Sequence, residues 1–263
     1  ELNSDMDYGQ LISALRGSGE QRTVVRVTIP EGYTLQDICD LLVEKKVLTA
    51  EKFWETANTY PFSHAMLADV PMVDNRLEGY LFPDTYEFYI SDSAESILSK
   101  MLDNYQKKIT DDSKRKSLVS NAKKLNMSMG DVTIIASMIE KEAASDDEMR
   151  RISGVIYNRL ADTQKFPYLN IDATIKYVCG HSGELTQDDL KINSPYNTYT
   201  NRGLPPGPIC NPGYAALYAA THPEKHSYYY YVANAKGTAH IFSKTLDEHN
   251  AAVAKVVAEK KAQ

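Results

Sequence analysis

One predicted helix carries a glutamate in a position suited to acid–base chemistry. The stretch 128–142 begins with a serine that has an aspartate three residues later, which is a typical helix start. Helical residues advance by about 100° each, so residues three, four and seven apart share a face. One face of this helix is formed by Ile135, Met138, Ile139 and Glu142, with Val132 at its margin. Glu140 points to nearly the opposite side, which we expect to be the wet face.

A carboxyl group on a buried stripe is expected to have a raised pKa, because low-dielectric surroundings disfavour its charged form. A carboxyl group that stays protonated near neutral pH is what general acid catalysis requires. Glu142 is therefore a candidate general acid. The alternative is that Glu142 lies in a frayed last turn or pairs with Arg150 or Arg151, and a lone helical glutamate is usually of this second kind.

Other residues able to bind or orient a ligand lie in the second half of the chain. They are Asp172, Asn197, Tyr199, His240 and His249. Asp172 is equally suited to a turn or a helix cap, and Asn197 and Tyr199 to anchoring a rigid loop. The histidines are scattered singly and the three cysteines fit no metal-binding spacing, so we expect no metal site and no structural disulfide. No phosphate-cradling glycine loop and no nucleophile-elbow serine occurs.

Composition limits the function further. The 263 residues suit one large domain or two small ones, and the apolar fraction of 43% is that of an ordinary globular protein. A net charge of −6 without a dense basic face argues against nucleic acid as the main partner. No apolar run approaches the roughly 20 residues that span a bilayer, and no signal peptide is present. We expect either a cytosolic protein or a soluble part of an anchored one.

The first half of the chain predicts a small lobe followed by helices. A short amphipathic helix over 7–16 precedes a strand over 23–29 that is rich in β-branched residues. Helices opened by Thr34 and Thr49 follow, with a second strand before residue 91. The aromatic segment 77–89 is broken by Gly79 and Pro83, and is either a connection between two lobes or a cleft wall. Two further helices reach residue 125.

The second half predicts a helix pair around Glu142. Ser145 and Glu148 form a capping box for a helix reaching residue 160, which would pack against the helix 128–142 with Glu142 at their junction. The segment 203–213 is too rich in proline and glycine for helix or strand, and a long rigid loop of this kind is commonly functional.

The remaining elements follow this loop. Asn211 and Pro212 are the cap and first turn of a predicted helix over 214–220. The stretches 228–233 and 239–243 predict two strands of a hairpin that turns at 234–237, and Thr245 caps a final helix. The predicted fold class is α+β, with a helix pair and an antiparallel hairpin in the second half.

Six stretches, in order, make the chain similar to the endolytic murein transglycosylases, the YceG-like family. They are 136–142, 155–160, 172–174, 196–199, 203–207 and the late His240-x-Phe242 with His249-Asn250. The segment 79–86 fits the linker of the same family. One motif alone is weak, but six in one order are specific.

The resemblance implies a bacterial protein with a single membrane-spanning anchor, acting on the extracytoplasmic face of the cell membrane. Residues 1–90 would form a LysM-like lobe, truncated at its start, with an aromatic linker, and residues 91–263 a catalytic domain. The family's membrane helix is absent from this sequence, so we expect residue 1 to be an internal boundary. The implied partners are peptidoglycan glycan strands and cell-wall synthesis proteins.

The family's catalytic glutamate is the second of a Glu-x-Glu pair, which matches Glu142. The implied reaction cleaves between N-acetylmuramic acid (MurNAc) and N-acetylglucosamine (GlcNAc), leaves a 1,6-anhydro end and needs no metal or cofactor. The substrate-binding residues implied are Asp172, Thr174, Asn197 and Tyr199, with Leu204 and Pro205 in the cleft wall. Ala143 stands where relatives often have threonine.

Three other functions remain open at this point. A hydrolase of the same glycan would need a second carboxyl group, for which Asp172 is the candidate. A non-catalytic peptidoglycan-binding module would use the first lobe and the 18 tyrosines. A pyridoxal-phosphate lyase would need a Schiff-base lysine beside a phosphate cup, and no lysine lies in such a sequence setting.

Overall fold

The computed structural model describes residues 7–8, 23–68, 70–110, 116–180 and 183–262. In these ranges the chain is α+β, as predicted, with nine α-helices and two small antiparallel sheets. The first half contains β1 (Val24–Thr28), α1 (Leu35–Glu44), α2 (Ala50–Thr59), β2 (Thr85–Tyr89), α3 (Ala94–Thr110) and α4 (Lys116–Lys124). The second half contains α5 (Met129–Glu142), α6 (Asp146–Ala161), α7 (Asp172–Cys179), α8 (Tyr214–Thr221), β3 (Tyr230–Ala233), β4 (His240–Ser243) and α9 (Leu246–Lys261). The predicted helix over 7–16 lies almost entirely outside the described residues.

Most predicted helix starts are confirmed by side-chain caps. Reciprocal capping boxes open three helices, at Thr34, Ser128 and Thr245. Thr49 caps α2 by accepting a hydrogen bond from the Lys52 backbone NH.

Two predicted caps do not form. Ser145 is the residue before α6, as predicted, but its side chain makes no capping bond, and the Glu148 carboxylate binds the Ala144 NH and His240 instead of completing a capping box. Asn211 is not a cap either: α8 begins at Tyr214 after Gly213, and the Asn211 side chain donates to the Tyr33 carbonyl and to Glu78.

The first lobe has the predicted order of strand, two helices and strand. β1 and β2 pair antiparallel, with Val24 opposite Tyr89 and Thr28 opposite Thr85. Alternate residues of a strand face opposite sides, and the buried ones here are Val27 in β1 and Tyr86 and Phe88 in β2. α1 contributes the buried residues Leu35, Ile38, Cys39 and Leu42.

Residues 77–82, the first part of the segment 77–89, are a buried connection between the two predicted lobes rather than an exposed cleft wall, and Thr85–Tyr89 forms β2. All six residues of 77–82 are buried. Gly79 has φ +87°, and a Cβ at this position would lie 2.5 Å from the Pro208 ring, so only glycine fits here. Buried apolar residues from Val27 to Ala220 form one continuous core that crosses the predicted boundary at residue 90.

α5 is the central helix of the second half and packs against α6, α7 and α8. Its residues are buried on several faces, including the polar Thr133 and Ser137. The Ser137 hydroxyl accepts a hydrogen bond of 3.0 Å from the Ile209 backbone NH, which fixes the proline-rich loop 203–213 to the helix. Such an enclosed helix holds its last residue, Glu142, in a defined position.

The predicted hairpin is present, with shorter strands. β3 and β4 pair from Tyr230–Ser243 to Ala233–His240, and the turn is closed by bonds at Asn234, including one to it from the Gly237 NH. α9 packs on both strands. Among the described residues, no helix combines the length and the apolarity needed to cross a membrane.

Candidate active site

Glu142 ends α5 where it meets the start of α7. Its Oε1 accepts a hydrogen bond of 3.1 Å from the Ala173 backbone NH, in the first turn of α7. Amide NH groups at a helix start are unpaired within the helix and favour a negative charge beside them. Part of Glu142 remains accessible to solvent. The carboxyl group is therefore fixed at one oxygen, on a residue that is not fully enclosed.

Opposing influences act on the protonation of Glu142, and burial is the largest. Burial and the nearby Asp172 carboxylate raise the pKa of Glu142, while the Ala173 NH, the Tyr231 hydroxyl and His240 lower it. The net effect raises this pKa above its ordinary value of 4.5. The direction of this pKa agrees with the prediction, but the residue as a whole is half-buried rather than buried.

The predicted solvation of Glu140 is wrong. Glu140 is half-buried, and its Oε2 accepts a bond of 3.0 Å from the Gly213 backbone NH before α8. Burial, with smaller contributions from Glu31 and Asp146, raises the pKa of Glu140 to about 6. Because α5 is enclosed on several sides, Glu140 and Glu142 are both partly buried. They differ in their hydrogen-bond partners, which are the Gly213 NH for Glu140 and the Ala173 NH for Glu142.

Asp172 and Tyr199 form a polar pair beside Glu142. Asp172 is the exposed first residue of α7, and the Tyr199 hydroxyl donates a short hydrogen bond to its Oδ1. Burial first, and then Asp172 and Glu142, raise the pKa of Tyr199, so its hydroxyl keeps its proton. The structure thus brings together three of the predicted site residues.

Asn197 and Thr174 are also close to this pair, but in the interior. Both are 0% exposed. The Asn197 amide donates to the carbonyls of Leu190 and Ile192 and accepts from the Tyr199 NH. The Thr174 hydroxyl donates to the Ile171 carbonyl. Their polar groups are engaged within the protein, so they hold the Tyr199 loop against the start of α7.

The two residues predicted for the cleft wall lie in the loop 203–213. Leu204 is half-buried and Pro205 is buried. Further along the loop, Ile209 and Cys210 bind Ser137 of α5. The loop is thus tied to the helix that carries Glu142, through the middle of that helix.

The hairpin supplies a residue that sequence reasoning missed. The Tyr231 hydroxyl is near enough to Glu142 to lower the pKa of that carboxyl group, while burial followed by the charge of Glu142 raises the pKa of Tyr231 well above its usual value. In the sequence Tyr231 is one of four consecutive tyrosines. Only the strand register, which sets Tyr231 opposite Phe242 of the recognised His-x-Phe motif, distinguishes it from its neighbours.

A buried carboxylate–histidine pair joins the hairpin to α6. His240 Nδ1 and Glu148 Oε1 are 2.7 Å apart, and both side chains are less than 10% exposed. Burial alone would raise the pKa of Glu148, but the Ala144 NH and the His240 imidazole and NH outweigh it and lower that pKa. His240, a candidate from the sequence, therefore lies near Glu142 with a carboxylate partner of its own.

Arg159 of α6 binds the backbone just before the first strand of the hairpin. Its guanidinium donates to the carbonyls of Tyr229 and Leu169, and lies 5.7 Å from the centre of the Phe166 ring and 5.3 Å from that of Tyr230. His249 stacks on Tyr230 and is 5.3 Å away between ring centres. Within the described ranges, no group of three or more His, Cys, Asp or Glu residues could hold a metal ion.

A groove of about 720 Å³ lies in the first lobe, away from Glu142. It is lined by the turn between α1 and α2, one face of α2 and residues 90–95 at the start of α3, including Lys46, Lys52, Tyr60 and Glu95. None of the predicted site residues lines this groove.

Comparison with known proteins identifies a family whose members resemble this chain. The model of the YceG-like family matches residues 1–255. The endolytic murein transglycosylase of Bacillus subtilis (strain 168) is 34% identical over an alignment of 271 positions, which covers 98% of this chain and 72% of that protein. The enzyme of the same name from Streptococcus pneumoniae (strain D39 / NCTC 7466) is 32% identical over 98% of this chain, which spans half of its length. The crystal structure of the yceG-like protein lmo1499 from Listeria monocytogenes has a TM-score of 0.75 and 35% identity, covering 93% of this chain and 81% of that one.

Proposed function

The chain belongs to the YceG-like family, and we propose that it is an endolytic murein transglycosylase in which Glu142 is the one catalytic carboxyl group. The substrate is the glycan strand of peptidoglycan, cut between MurNAc and GlcNAc. The observation that carries the proposal is the state of Glu142: a carboxyl group with a raised pKa, fixed through one oxygen, on a residue that is not fully enclosed.

The first step needs a proton on Glu142. A carboxyl group with a raised pKa retains a proton to higher pH than an exposed glutamate does, so it can protonate the glycosidic oxygen as the bond to C1 of MurNAc breaks. The charge that develops at C1 is positive. Asp172, exposed on the neighbouring helix start, adds a negative charge near that position.

The second step needs the carboxylate. Glu142 takes the proton from the C6 hydroxyl of MurNAc as its oxygen closes on C1. One C–O bond breaks, one forms, a proton moves from O6 to the leaving oxygen, and no water is consumed. The Ala173 NH and the Tyr231 hydroxyl stabilise the carboxylate between the two steps, because both donate to it.

Asp172 and Tyr199 are the residues that we expect to bind the sugar, since they lie beside Glu142 and are not fully enclosed. Asn197 and Thr174 would act through them, by fixing the loop and the start of α7. Leu204 and Pro205 are proposed to shape the cleft wall. No metal or cofactor enters these steps.

Mass analysis of the products tests the proposal. Purified glycan strands are digested with the wild type, Glu142→Gln and Asp172→Asn, and the new ends are weighed. We expect 1,6-anhydro ends, one water lighter than reducing ends, from the wild type and from Asp172→Asn, and no cleavage by Glu142→Gln. Reducing ends that disappear in Asp172→Asn would instead establish a two-carboxylate hydrolase.

The groove of the first lobe favours a second candidate function, glycan binding without cleavage. It predicts that Glu142→Gln binds peptidoglycan as the wild type does and that neither protein cuts it. We further propose a LysM-like first lobe over residues 1–90, a catalytic domain over 91–263, and action outside the cell membrane, with an anchor and cell-wall synthesis proteins as partners.

A further inference from the structure

Tyr231 and His240 lie on the same face of the β3–β4 hairpin. In an antiparallel pair, directly opposed residues share a face and alternate residues of one strand do too. Tyr231 is opposite Phe242, and His240 is opposite Ala233, so these four side chains face the same way. The rings of Tyr231 and His240 meet edge to face, with their centres 5.2 Å apart.

Glu148 holds this face from the start of α6. Its Oε1 accepts a bond of 2.7 Å from the Ala144 NH and lies 2.7 Å from His240 Nδ1, and its Oε2 accepts a bond of 2.9 Å from the His240 NH. Ala144 comes only two residues after Glu142. One carboxylate therefore binds both the chain that leaves Glu142 and the strand that faces it.

A buried pair of this kind adds little net stability, because the cost of desolvating its polar groups offsets their attraction. Its main consequence here is geometric. The pair fixes the distance between the end of α5 and the hairpin, and Tyr231 is the hairpin residue that bonds to Glu142. Since its own pKa is raised, the Tyr231 hydroxyl is a donor at neutral pH.

We propose that Glu148, His240 and Tyr231 form a positioning unit for Glu142. The Glu148–His240 pair fixes the hairpin, and Tyr231 transfers that fixed position to the catalytic carboxyl group as a hydrogen-bond donor. The proposal rests on the role of Glu142 given above.

The charges around Glu142 indicate how the unit acts on the pH dependence. Asp172 of α7 raises the pKa of Glu142, and Tyr231 and His240 of the hairpin lower it. Tyr199, from the loop before 203–213, also interacts electrostatically with the carboxyl group, and Arg159 of α6 does so with Tyr231. Removing the hydroxyl of Tyr231 or the imidazole of His240 would therefore raise the pKa of Glu142 further, because fewer groups would oppose the effects of Asp172 and burial.

The first test removes one hydroxyl. Tyr231→Phe keeps the ring and its packing, and Tyr228→Phe removes a hydroxyl from the residue three positions earlier as a matched control. A hydrogen bond to a charged group is worth about 10-fold to 100-fold in rate. We expect kcat on glycan strands to fall by that factor in Tyr231→Phe with KM little changed, and the alkaline limb of kcat to move to higher pH. Tyr228→Phe should match the wild type in both.

The second test treats the Glu148–His240 pair as a unit. Glu148→Gln, His240→Gln and the double variant are compared with Glu224→Gln, which removes a carboxylate from the more exposed pair between Arg151 and Glu224. We expect each single variant to lower kcat by roughly 10-fold and the double variant to lose little more, because residues that act together are not additive. Glu224→Gln should retain the wild-type kcat and pH profile.

The outcomes separate this inference from the proposed function. Cleavage by Glu142→Gln would overturn the proposed function. An inactive Glu142→Gln together with a Tyr231→Phe that matches Tyr228→Phe would overturn only the positioning unit. The positioning unit would also be overturned if the losses of kcat in Glu148→Gln and His240→Gln add up in the double variant, follow the melting temperatures of these variants and leave the pH profile unchanged.

Discussion

Glu78 offers the most quantitative test of how this fold is held together. It is 4% exposed, in the connection between the lobes. Its carboxyl group accepts bonds from the Leu35 NH at the start of α1, from the Tyr177 hydroxyl on α7 and from the Asn211 amide. One side chain thus joins the first lobe, the connection and the second half of the chain. Burial, which outweighs these hydrogen bonds, raises the pKa of Glu78 to about 8.

The sign of the effect on stability follows from proton binding. Below pH 4.5 Glu78 is protonated in both the folded and the unfolded chain. Between pH 4.5 and about 8 the unfolded chain loses this proton while the folded chain keeps it, so the free energy of unfolding falls as pH rises. At 1.36 kcal/mol per pKa unit, the difference between 4.5 and about 8 corresponds to a loss of roughly 5 kcal/mol.

Glu78→Gln is expected to remove this loss. A glutamine is isosteric with the protonated carboxyl group, its oxygen can accept from Leu35 and Asn211, and its NH2 can donate to the Tyr177 oxygen. The variant should match the wild type near pH 5 and exceed it at pH 9 by up to about 5 kcal/mol, a large part of the 5–15 kcal/mol that stabilises a typical domain.

Urea unfolding at pH 5, 7 and 9 measures this difference. Other groups, including Glu140 and Glu142, titrate in both proteins, so only the difference between wild type and variant is interpreted. Glu87→Gln, on the exposed face of β2, is the matched control and should keep the wild-type pH dependence. If Glu78→Gln shows the same fall in stability with pH as the wild type, Glu78 titrates as an ordinary glutamate and the reasoning is refuted.

Four further predictions concern the site and its support. Glu142→Gln should lower the cleavage rate by at least about 100-fold without loss of melting temperature, as expected for a general acid; near wild-type cleavage contradicts this. Wild-type activity should fall as pH rises through the raised pKa of Glu142. Asp172→Asn removes a negative charge that raises this pKa, so the fall should move to lower pH in that variant. An unmoved alkaline limb would show that the two carboxyl groups are not coupled. Tyr199→Phe should lower cleavage by roughly 10-fold, because Asp172 loses its donor, whereas an unchanged kcat/KM would exclude this role. Gly154→Ala should destabilise the protein by about 1–3 kcal/mol in thermal or urea unfolding, since its Cβ would lie 2.3 Å from the Glu224 carbonyl oxygen. A variant as stable as the wild type would show that this position has room for a Cβ atom.

Local chemistry in the sequence was enough to predict most elements. The capping boxes at Thr34, Ser128 and Thr245 depend on residues three apart, and all three formed. The hairpin turn depends on a short segment and was also predicted. α7 was missed, because its eight residues follow a segment of mixed pattern and its first turn is fixed by the Tyr199 loop and by Glu142.

Failures occurred where a distant partner replaced a local one. Ser145 and Glu148 have the spacing of a capping box, but Glu148 reaches His240, 92 residues away in the chain. Asn211 has the place of a helix cap, but its side chain meets the backbone of Leu81 and Tyr33. A polar side chain bonds to the donors and acceptors that the fold brings within reach, and the sequence does not reveal which those are.

The sequence alone determined that a carboxyl group ends an apolar helix at residue 142, because helical periodicity is a property of the chain itself. Only the tertiary structure decided what surrounds that group: the start of α7, the hydroxyl of Tyr231 and the charges of Asp172 and His240. The pKa of an acid depends on burial and on charges a few ångströms away. Those neighbours come from parts of the chain 30 to 98 residues distant, so folding has to bring them together.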